Sequence, residues 1–182
     1  MGWQEVTPSD RVDVADWIGP RLLPFREARI GSVIPTGFES YVRVDPHVEL
    51  AYILGRHTSA PGRCWFCLWE GYGYLTGAVA VMTSWKLQPG KRPPGPPVKR
   101  IPPPKLQKSR VRLPGRDYLL FSGAVEQGDG WQDGPNLWWP DDRAWCVASE
   151  IDLDYTLVGG SAELCAELAR DGAVAVSPED RN

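Results

Sequence analysis

The alternation of apolar and polar residues is most regular over residues 145–155. The odd positions are apolar apart from Ser149, and they are Trp145, Val147, Ile151, Leu153 and Tyr155. The even positions pass from small residues to three acids, and they are Cys146, Ala148, Glu150, Asp152 and Asp154. Side chains alternate across a strand, so this pattern predicts one long strand with a buried apolar face. It also predicts a half-covered sheet and an acidic outer face on this strand.

Residues 63–70 are apolar at nearly every position, which is typical of a central strand covered on both sides. Further extended segments are predicted at 40–44, 72–81, 83–87, 111–113, 117–121 and 173–176. Residues 49–54 have a mixed pattern. Trp65 and Trp145 lie in the middle of apolar runs, so both are predicted to be core residues.

Two helices are predicted, one near each end of the chain. The first begins after Thr7, with Pro8 at its first position, and ends at Gly19-Pro20. The second spans residues 162–170, capped by Ser161 and ended by Gly172. At 182 residues the expected domain count is one. We therefore expect a single α+β domain over residues 1–182, with a mainly antiparallel sheet of about five to seven strands.

Residues 88–108 contain eight prolines, which remove amide donors and favour an extended, polyproline-like course. We predict that this proline-rich segment is an insertion between two strands of one sheet. The basic span, residues 86–116, has ten Lys or Arg and no acid, while the rest of the chain has ten basic and 23 acidic residues. The chain is therefore predicted to have an acidic body, of net charge −13, and one basic span.

The basic residues of the proline-rich segment include Lys91, Arg92, Lys99 and Arg100. We predict that they dock in cis on the acidic body, with Glu150, Asp152 and Asp154 among the carboxylates, because tethering raises the effective concentration to about the millimolar range. Nucleic acid is the alternative partner. It is less favoured because the segment has no aromatic residue that could stack on bases.

The first residues show neither a charged n-region nor an apolar h-region, and no apolar stretch reaches the roughly 20 residues of a membrane helix. We expect a soluble cytoplasmic protein whose four cysteines are thiols, with no cofactor. Cys64 and Cys67 have the spacing of half a zinc site or a redox pair. On a strand, residues three apart face opposite ways, so two buried thiols are the favoured interpretation and no metal is expected.

The three acids of residues 150–154 have two interpretations. They form a solvated or ion-paired face, or they bind a hard metal or act as acid and base with Asp141 and Asp142. His47 and His57 are the only histidines. His57 is predicted to be a surface loop residue, since no nucleophile motif accompanies it.

Two further patterns carry binding hypotheses. Gly159-Gly160-Ser161 is an ordinary helix start or an anion site on free amides. Trp138 and Trp139 are predicted to point to opposite sides of an extended segment, with one in the core and the other either covered by a loop or exposed as part of an aromatic shelf, near Trp131 and Tyr155.

Residues 136–168, which include Trp138-Trp139-Pro140-Asp141-Asp142-Arg143, resemble a family of uncharacterised actinobacterial proteins. Residues 9–24, 31–38, 63–73 and 116–121 are similar to that family as well. The resemblance carries no established activity and transfers no catalytic residue. The stretch Arg116-Asp117-Tyr118-Leu119-Leu120-Phe121 is also similar to a Pro-x-Asp-Tyr-x-x-Phe segment of bacterial immunity proteins of the SMI1/KNR4-like group.

These patterns favour a non-enzymatic binding protein that engages a protein partner, and the similarity of residues 116–121 implies one of the immunity-protein kind. No nucleophile motif or complete metal site is visible, and a large share of the chain is suited to recognition. A small hydrolase or metal-dependent enzyme using the acidic strand face is one alternative. A nucleic-acid binder that uses the basic span is the other.

Overall fold

The computed structural model describes residues 6–24, 30–46, 48–72, 75, 109–129, 131 and 134–177. Within these residues nine strands form one antiparallel sheet. In chain order they are β1 (Thr7–Ser9), β2 (Ser40–Val44), β3 (Cys64–Trp69), β4 (Val111–Leu113), β5 (Arg116–Gly123), β6 (Leu137–Pro140), β7 (Cys146–Ser149), β8 (Thr156–Gly160) and β9 (Val174–Ala175). The spatial order is β1-β5-β3-β6-β7-β8-β2-β9, and β4 pairs with the outer edge of β5 beside β1.

The α+β class and the antiparallel sheet are confirmed. The sheet is wider than expected because β1 lies where a helix is predicted, and because two strands, β7 and β8, lie where one long strand is predicted. The short segments predicted at 111–113 and 173–176 contain β4 and β9. β3 is central, as its apolar pattern predicts, and it lies between β5 and β6.

Both faces of the sheet are covered. Cys64, Phe66 and Leu68 of β3 face a core that is completed by two of the described elements, the helices α1 (Ala51–Arg56) and α2 (Ala162–Arg170). Trp65 and Cys67 face a second core under the N-terminal turns. The half-covered sheet is therefore a wrong prediction, because side chains of residues 12–22 and 30–38 cover the second face from turns and 3₁₀ segments.

The boundaries of α2 are as predicted. Ser161 accepts a hydrogen bond from the amide of Leu164 at 3.1 Å, which is an N-cap. At the other end, Gly172 has φ +97°, and the amides of Gly172 and Ala173 donate to Ala169 and Leu168. This pair of hydrogen bonds is a Schellman motif, which satisfies the last carbonyls of the helix.

The predicted N-terminal helix is wrong. Thr7–Ser9 is strand β1, in which Pro8 lies opposite Phe121 of β5, and a 3₁₀ turn follows at Val12–Ala15. The local capping signals are outweighed by pairing with β5, and an edge strand tolerates a proline that lacks an amide donor. Residues 49–54, which have a mixed pattern in the sequence, are helical for the most part. Residues 51–54 form most of α1, and residues 49 and 50 precede it.

The long strand predicted over residues 145–155 is two strands joined by a turn. β7 ends at Ser149, and β8 runs back beside it from Thr156. The Ser149 and Thr156 hydroxyls are 2.8 Å apart across the hairpin, whereas Ile151 is 43% exposed in the turn. The six turn residues, 150–155, alternate between polar and apolar just as a strand does. Alternation alone therefore cannot show where β7 ends and β8 begins.

Gly159 and Gly160 end β8 and Ser161 caps α2, so this stretch is the ordinary helix start of the two interpretations. A Cβ at Gly159 would lie 2.7 Å from the Tyr41 ring, and one at Gly160 would lie 2.7 Å from Leu164. The two glycines therefore let the aromatic layer and α2 approach β8 closely.

The proline-rich segment and the strands predicted at 72–81 and 83–87 lie outside the described residues, apart from Tyr72 and Leu75. The strand before the segment, β3, pairs directly with β5, which follows the segment after β4, from Cys64 opposite Gly123 to Trp69 opposite Tyr118. None of the helices in the described part of the chain is long and apolar enough to cross a membrane.

Candidate functional site

The acids of residues 150–154 lie in the β7–β8 turn and not on one strand face, so the predicted row of carboxylates is wrong. Arg116, at the start of β5, joins two of them: its guanidinium is 2.5 Å from Glu150 and 3.3 Å from Asp152. The same guanidinium lies 4.7 Å from the centre of the Trp69 ring. Asp154 is exposed.

The Arg116–Glu150 pair is largely buried, with side-chain exposures of 16% and 13%. Burial raises the pKa of Glu150, and the charge of Arg116 acts in the opposite direction. The pair lines a cleft of about 160 Å³ together with Tyr118 and Ser32. A carboxylate held by an arginine in this way is suited to anchoring the β7–β8 turn.

A second basic residue of the basic span binds the body. The Nε of Arg110 donates to Glu70 at 2.6 Å, at the end of β3. Arg110 and Arg116 thus pair with carboxylates of the body on either side of β4. Lys91, Arg92, Lys99 and Arg100 lie outside the described residues, so their predicted docking is not tested by these contacts.

Trp138 and Trp139 are 3% and 1% exposed, so an exposed aromatic shelf is a wrong prediction. They do point to opposite faces of β6, as predicted. Trp138 stacks on Phe66 at 5.8 Å, and Trp139 meets the edge of Trp17 at 6.1 Å. The N-terminal turns cover the Trp139 ring. Of the two predicted alternatives for the second tryptophan, the one in which a loop covers it is therefore confirmed. Trp65 and Trp145 are buried, as predicted.

Cys64 and Cys67 belong to the two opposite cores, as their spacing on a strand predicts. Burial, with smaller contributions from Glu126 and Asp142, raises the pKa of the Cys64 thiol to about 12. Within the described residues, no group of three His, Cys, Asp or Glu side chains could hold a metal ion. The two thiols are therefore protonated packing groups at neutral pH.

His57 is not a surface loop residue. It follows α1, its side chain is 12% exposed, and its Nε2 lies 2.7 Å from Glu167 of α2. Arg56 pairs with the other oxygen of the same carboxylate. The histidine therefore helps to join the two helices. His47 lies outside the described residues.

Asp141 and Asp142 also have structural partners. Asp142 accepts from the Thr58 hydroxyl at 2.8 Å and from the Ser59 amide at 2.7 Å. Asp141 accepts from the Trp65 indole at 3.1 Å. Asp142 ties the β6–β7 turn to the loop after α1, and Asp141 ties it to β3. Neither acid contacts Glu150.

A surface groove beside α1 combines an exposed aromatic ring with carboxylates, and sequence reasoning did not identify it. The groove has a volume of about 710 Å³, and its lining includes Tyr52, Arg56, Glu49, Glu126 and Asp129. Tyr52 is 78% exposed, and the Arg56 guanidinium lies 4.5 Å from its ring centre. The sequence did not reveal the groove because α1 has only six residues, too few for the periodicity of a helix to be recognised in the mixed pattern of residues 49–54.

The rim of this acidic groove is held in place by a hydrogen-bonded carboxylate. Asp129 accepts from the amides of Leu50 and Ala51, at 2.9 and 2.8 Å, at the start of α1. Burial raises the pKa of Asp129, and the two amides act in the opposite direction. Glu49 and Glu126 are exposed on the same groove.

Comparisons with known proteins identify no relative: no protein-family model, no curated protein and no solved structure matches the chain.

Proposed function

We propose that the protein is a non-enzymatic binding protein, and that its acidic groove binds a basic segment of a partner protein. The observation that supports this proposal best is Tyr52, a large aromatic side chain that is 78% exposed at the edge of a groove carrying three carboxylates. Burying a ring of this kind against a partner removes much apolar surface from water.

The ring is also positioned before binding. Arg56 packs on Tyr52, and Arg56 is itself held by Glu167 of α2. A side chain that is already ordered loses less conformational entropy when a partner covers it. Tyr and Arg are among the residues that contribute most strongly to protein interfaces.

The charges of the groove favour a cationic partner. Glu49, Glu126 and Asp129 contribute three potential negative charges, and the positive charge of Arg56 is balanced by Glu167. Complementary charge increases the association rate and disfavours acidic partners.

The enzyme alternative draws less support from these contacts. Glu150 is paired with Arg116, and His57 is paired with Glu167. An acid or base for catalysis has to reach a substrate proton, whereas these groups hold strands and helices together.

The proposal is tested with two labelled peptides, a lysine–proline repeat and a glutamate–proline repeat, by fluorescence anisotropy. We expect the basic peptide to bind and the acidic one not to bind. Tyr52→Ala should weaken binding by about tenfold or more, because the truncation of an interface anchor costs about 2 kcal/mol. Glu126→Gln should weaken binding mainly at low salt.

Val174→Ala is the matched control, since Val174 is 64% exposed and lies on β9. It should leave the affinity unchanged. Equal binding of both peptides, or unchanged affinity in Tyr52→Ala, would contradict the proposal.

A further inference from the structure

Two arginines lie against one buried indole on the opposite face of the sheet from α1. The guanidinium carbons of Arg21 and Arg143 are 5.4 and 5.6 Å from the ring centre of Trp17. They are therefore at most about 11 Å apart, the sum of those two distances. The Trp17 ring also makes edge contacts with the rings of Phe38 and Trp139, whose centres are 6.2 and 6.1 Å away.

Neither guanidinium has a carboxylate within 4.0 Å among the described residues, although both side chains are exposed. The two acids that precede Arg143 are engaged elsewhere, Asp141 with Trp65 and Asp142 with Ser59. Arg116, Arg110 and Arg56, by contrast, each pair with a carboxylate. Two arginines that have no carboxylate partner among the described residues thus approach the same ring.

The indole ring that both guanidiniums approach carries an N–H donor that has no acceptor among the described residues. Trp17 is 8% exposed, and its Nε1 is buried with no hydrogen-bond partner in the described part of the chain. A buried N–H that lacks an acceptor is unfavourable, and most such groups in proteins are satisfied. This donor belongs to the same ring that both guanidiniums cover.

Arg143 has a backbone conformation that favours glycine. Its φ is 58°, and no other non-glycine residue of the described ranges has a positive φ. Its amide donates to the Pro140 carbonyl at 2.8 Å, which closes the β6–β7 turn. An arginine at such a position is unfavourable for the turn, and strain of this kind concentrates at binding sites.

We propose that Arg21, Trp17 and Arg143 form a binding site for a small phosphorylated ligand of the diphosphate class. The planar guanidinium binds phosphate oxygens through two parallel hydrogen bonds, and two guanidiniums suit two linked phosphates. Because the Trp17 N–H is buried in the free protein, binding requires the exposed arginine side chains to shift, and an oxygen of the same ligand then supplies the acceptor that this N–H lacks. This site is separate from the acidic groove and does not depend on it.

A small ligand is favoured over nucleic acid for two reasons. The Trp17 ring is buried, so it offers no face on which a base could stack. The rest of the chain outside the basic span has a net charge of −13, which repels an extended polyanion more than a single small one.

The probe is inorganic pyrophosphate, titrated into the full chain by calorimetry at low salt. Arg143→Gly and Arg21→Gln should each weaken binding by about tenfold or more, because each removes hydrogen bonds between charged groups. Arg143→Gly suits the positive φ, so its melting temperature should not fall and the loss of binding is not a loss of fold. Trp17→Phe keeps the packing but removes the N–H, and it should weaken binding about three- to tenfold.

Arg63→Gln is the matched control, since Arg63 is an exposed arginine that pairs with Asp141. It should bind pyrophosphate as the wild type does, and so should Tyr52→Ala, which keeps this test separate from that of the acidic groove. The proposal is overturned if pyrophosphate does not bind at millimolar concentration, or if the arginine variants bind as well as the wild type. Equal or tighter binding of citrate, or of a single-stranded oligonucleotide, would replace the proposed ligand class with another.

Discussion

Among single residues, Trp145, directly before β7, connects the sheet to α1. Its side chain is 0% exposed, and its Nε1 donates to the Leu54 carbonyl of α1 at 3.0 Å. Trp145→Ala should lower the free energy of unfolding by about 3–5 kcal/mol, a large share of a total near 5–15 kcal/mol. Urea denaturation followed by circular dichroism measures this change.

The exposed residue Tyr52 provides the comparison for Trp145. Tyr52→Ala should change the free energy of unfolding by about 0.5 kcal/mol or less. A loss below about 1 kcal/mol in Trp145→Ala would show that this ring is not part of the core.

Asp142 makes stability depend on pH. Burial acts to raise its pKa, but hydrogen bonds from Ser59, Thr58 and the Ala144 amide outweigh burial, and the pKa falls below 3.8. Because the folded pKa is lowered, the carboxylate stabilises the fold above pH 3.8 and loses this contribution as the pH falls through the folded pKa.

The neutral variant Asp142→Asn tests this dependence. Its urea midpoint should lie below that of the wild type at pH 7, and the difference should shrink as the pH is lowered below 3.8. Asp154→Asn, in the exposed β7–β8 turn, should show neither effect. A difference that stays constant with pH would mean that the charge of Asp142 does not stabilise the loop.

At the scale of elements, the C-terminus of α2 depends on the conformation of one glycine. Gly172 has φ +97°, and a Cβ built there meets no atom within 4 Å. Gly172→Ala should therefore cost about 1–2 kcal/mol through backbone strain alone. Thermal or urea unfolding measures this cost.

Gly62 is the matched control for Gly172. A Cβ at Gly62 also meets no atom within 4 Å, but the φ of Gly62 lies outside the positive region. Gly62→Ala should be neutral or stabilising by less than about 1 kcal/mol, because alanine restricts the unfolded chain. Equal effects of the two substitutions would contradict the role of the Schellman motif.

The elements that sequence predicts best are those with complete local signals. α2 has a serine cap, an apolar stripe and a glycine at its end, and β3 is apolar on both faces over six residues. The Thr7-Pro8 signal fails because pairing with β5 is a long-range interaction. The β7–β8 turn is missed because its residues continue the alternation of the strands on either side.

At the scale of the whole molecule, the basic span remains the feature that distinguishes this chain most. Arg110 and Arg116 already bind Glu70 and Glu150. We therefore expect the proline-rich segment to dock in cis on the acidic body. Limited trypsin digestion should show protection at low salt that fades as the salt concentration rises past about 0.15 M, where charges are screened beyond about 8 Å.

The double variant Glu150→Gln/Asp152→Asn should speed this cleavage at low salt, and Glu163→Gln on α2 should not. Binding of unrelated DNA and RNA is measured beside it at about 0.15 M salt. Rapid cleavage at every salt concentration, together with micromolar nucleic-acid binding, would contradict docking in cis and favour the nucleic-acid alternative.

The sequence by itself determined the α+β class, the central position of β3, the span of α2 and the burial of Trp65 and Trp145. Each of these follows from local patterns of apolar residues or from capping residues next to the element they end. The opposite faces of Cys64 and Cys67 follow from the same alternation. No long-range information is needed for any of them.

Only the tertiary structure decided which polar residues are free. Glu150, His57 and Asp142 contact Arg116, Glu167 and Ser59, which lie 34, 110 and 83 positions away in the chain. The exposure of Tyr52 and the pairing of Arg21 with Arg143 around Trp17 arise in the same way. Both candidate sites were therefore invisible in the sequence, because a site depends on which side chains the fold leaves without a partner.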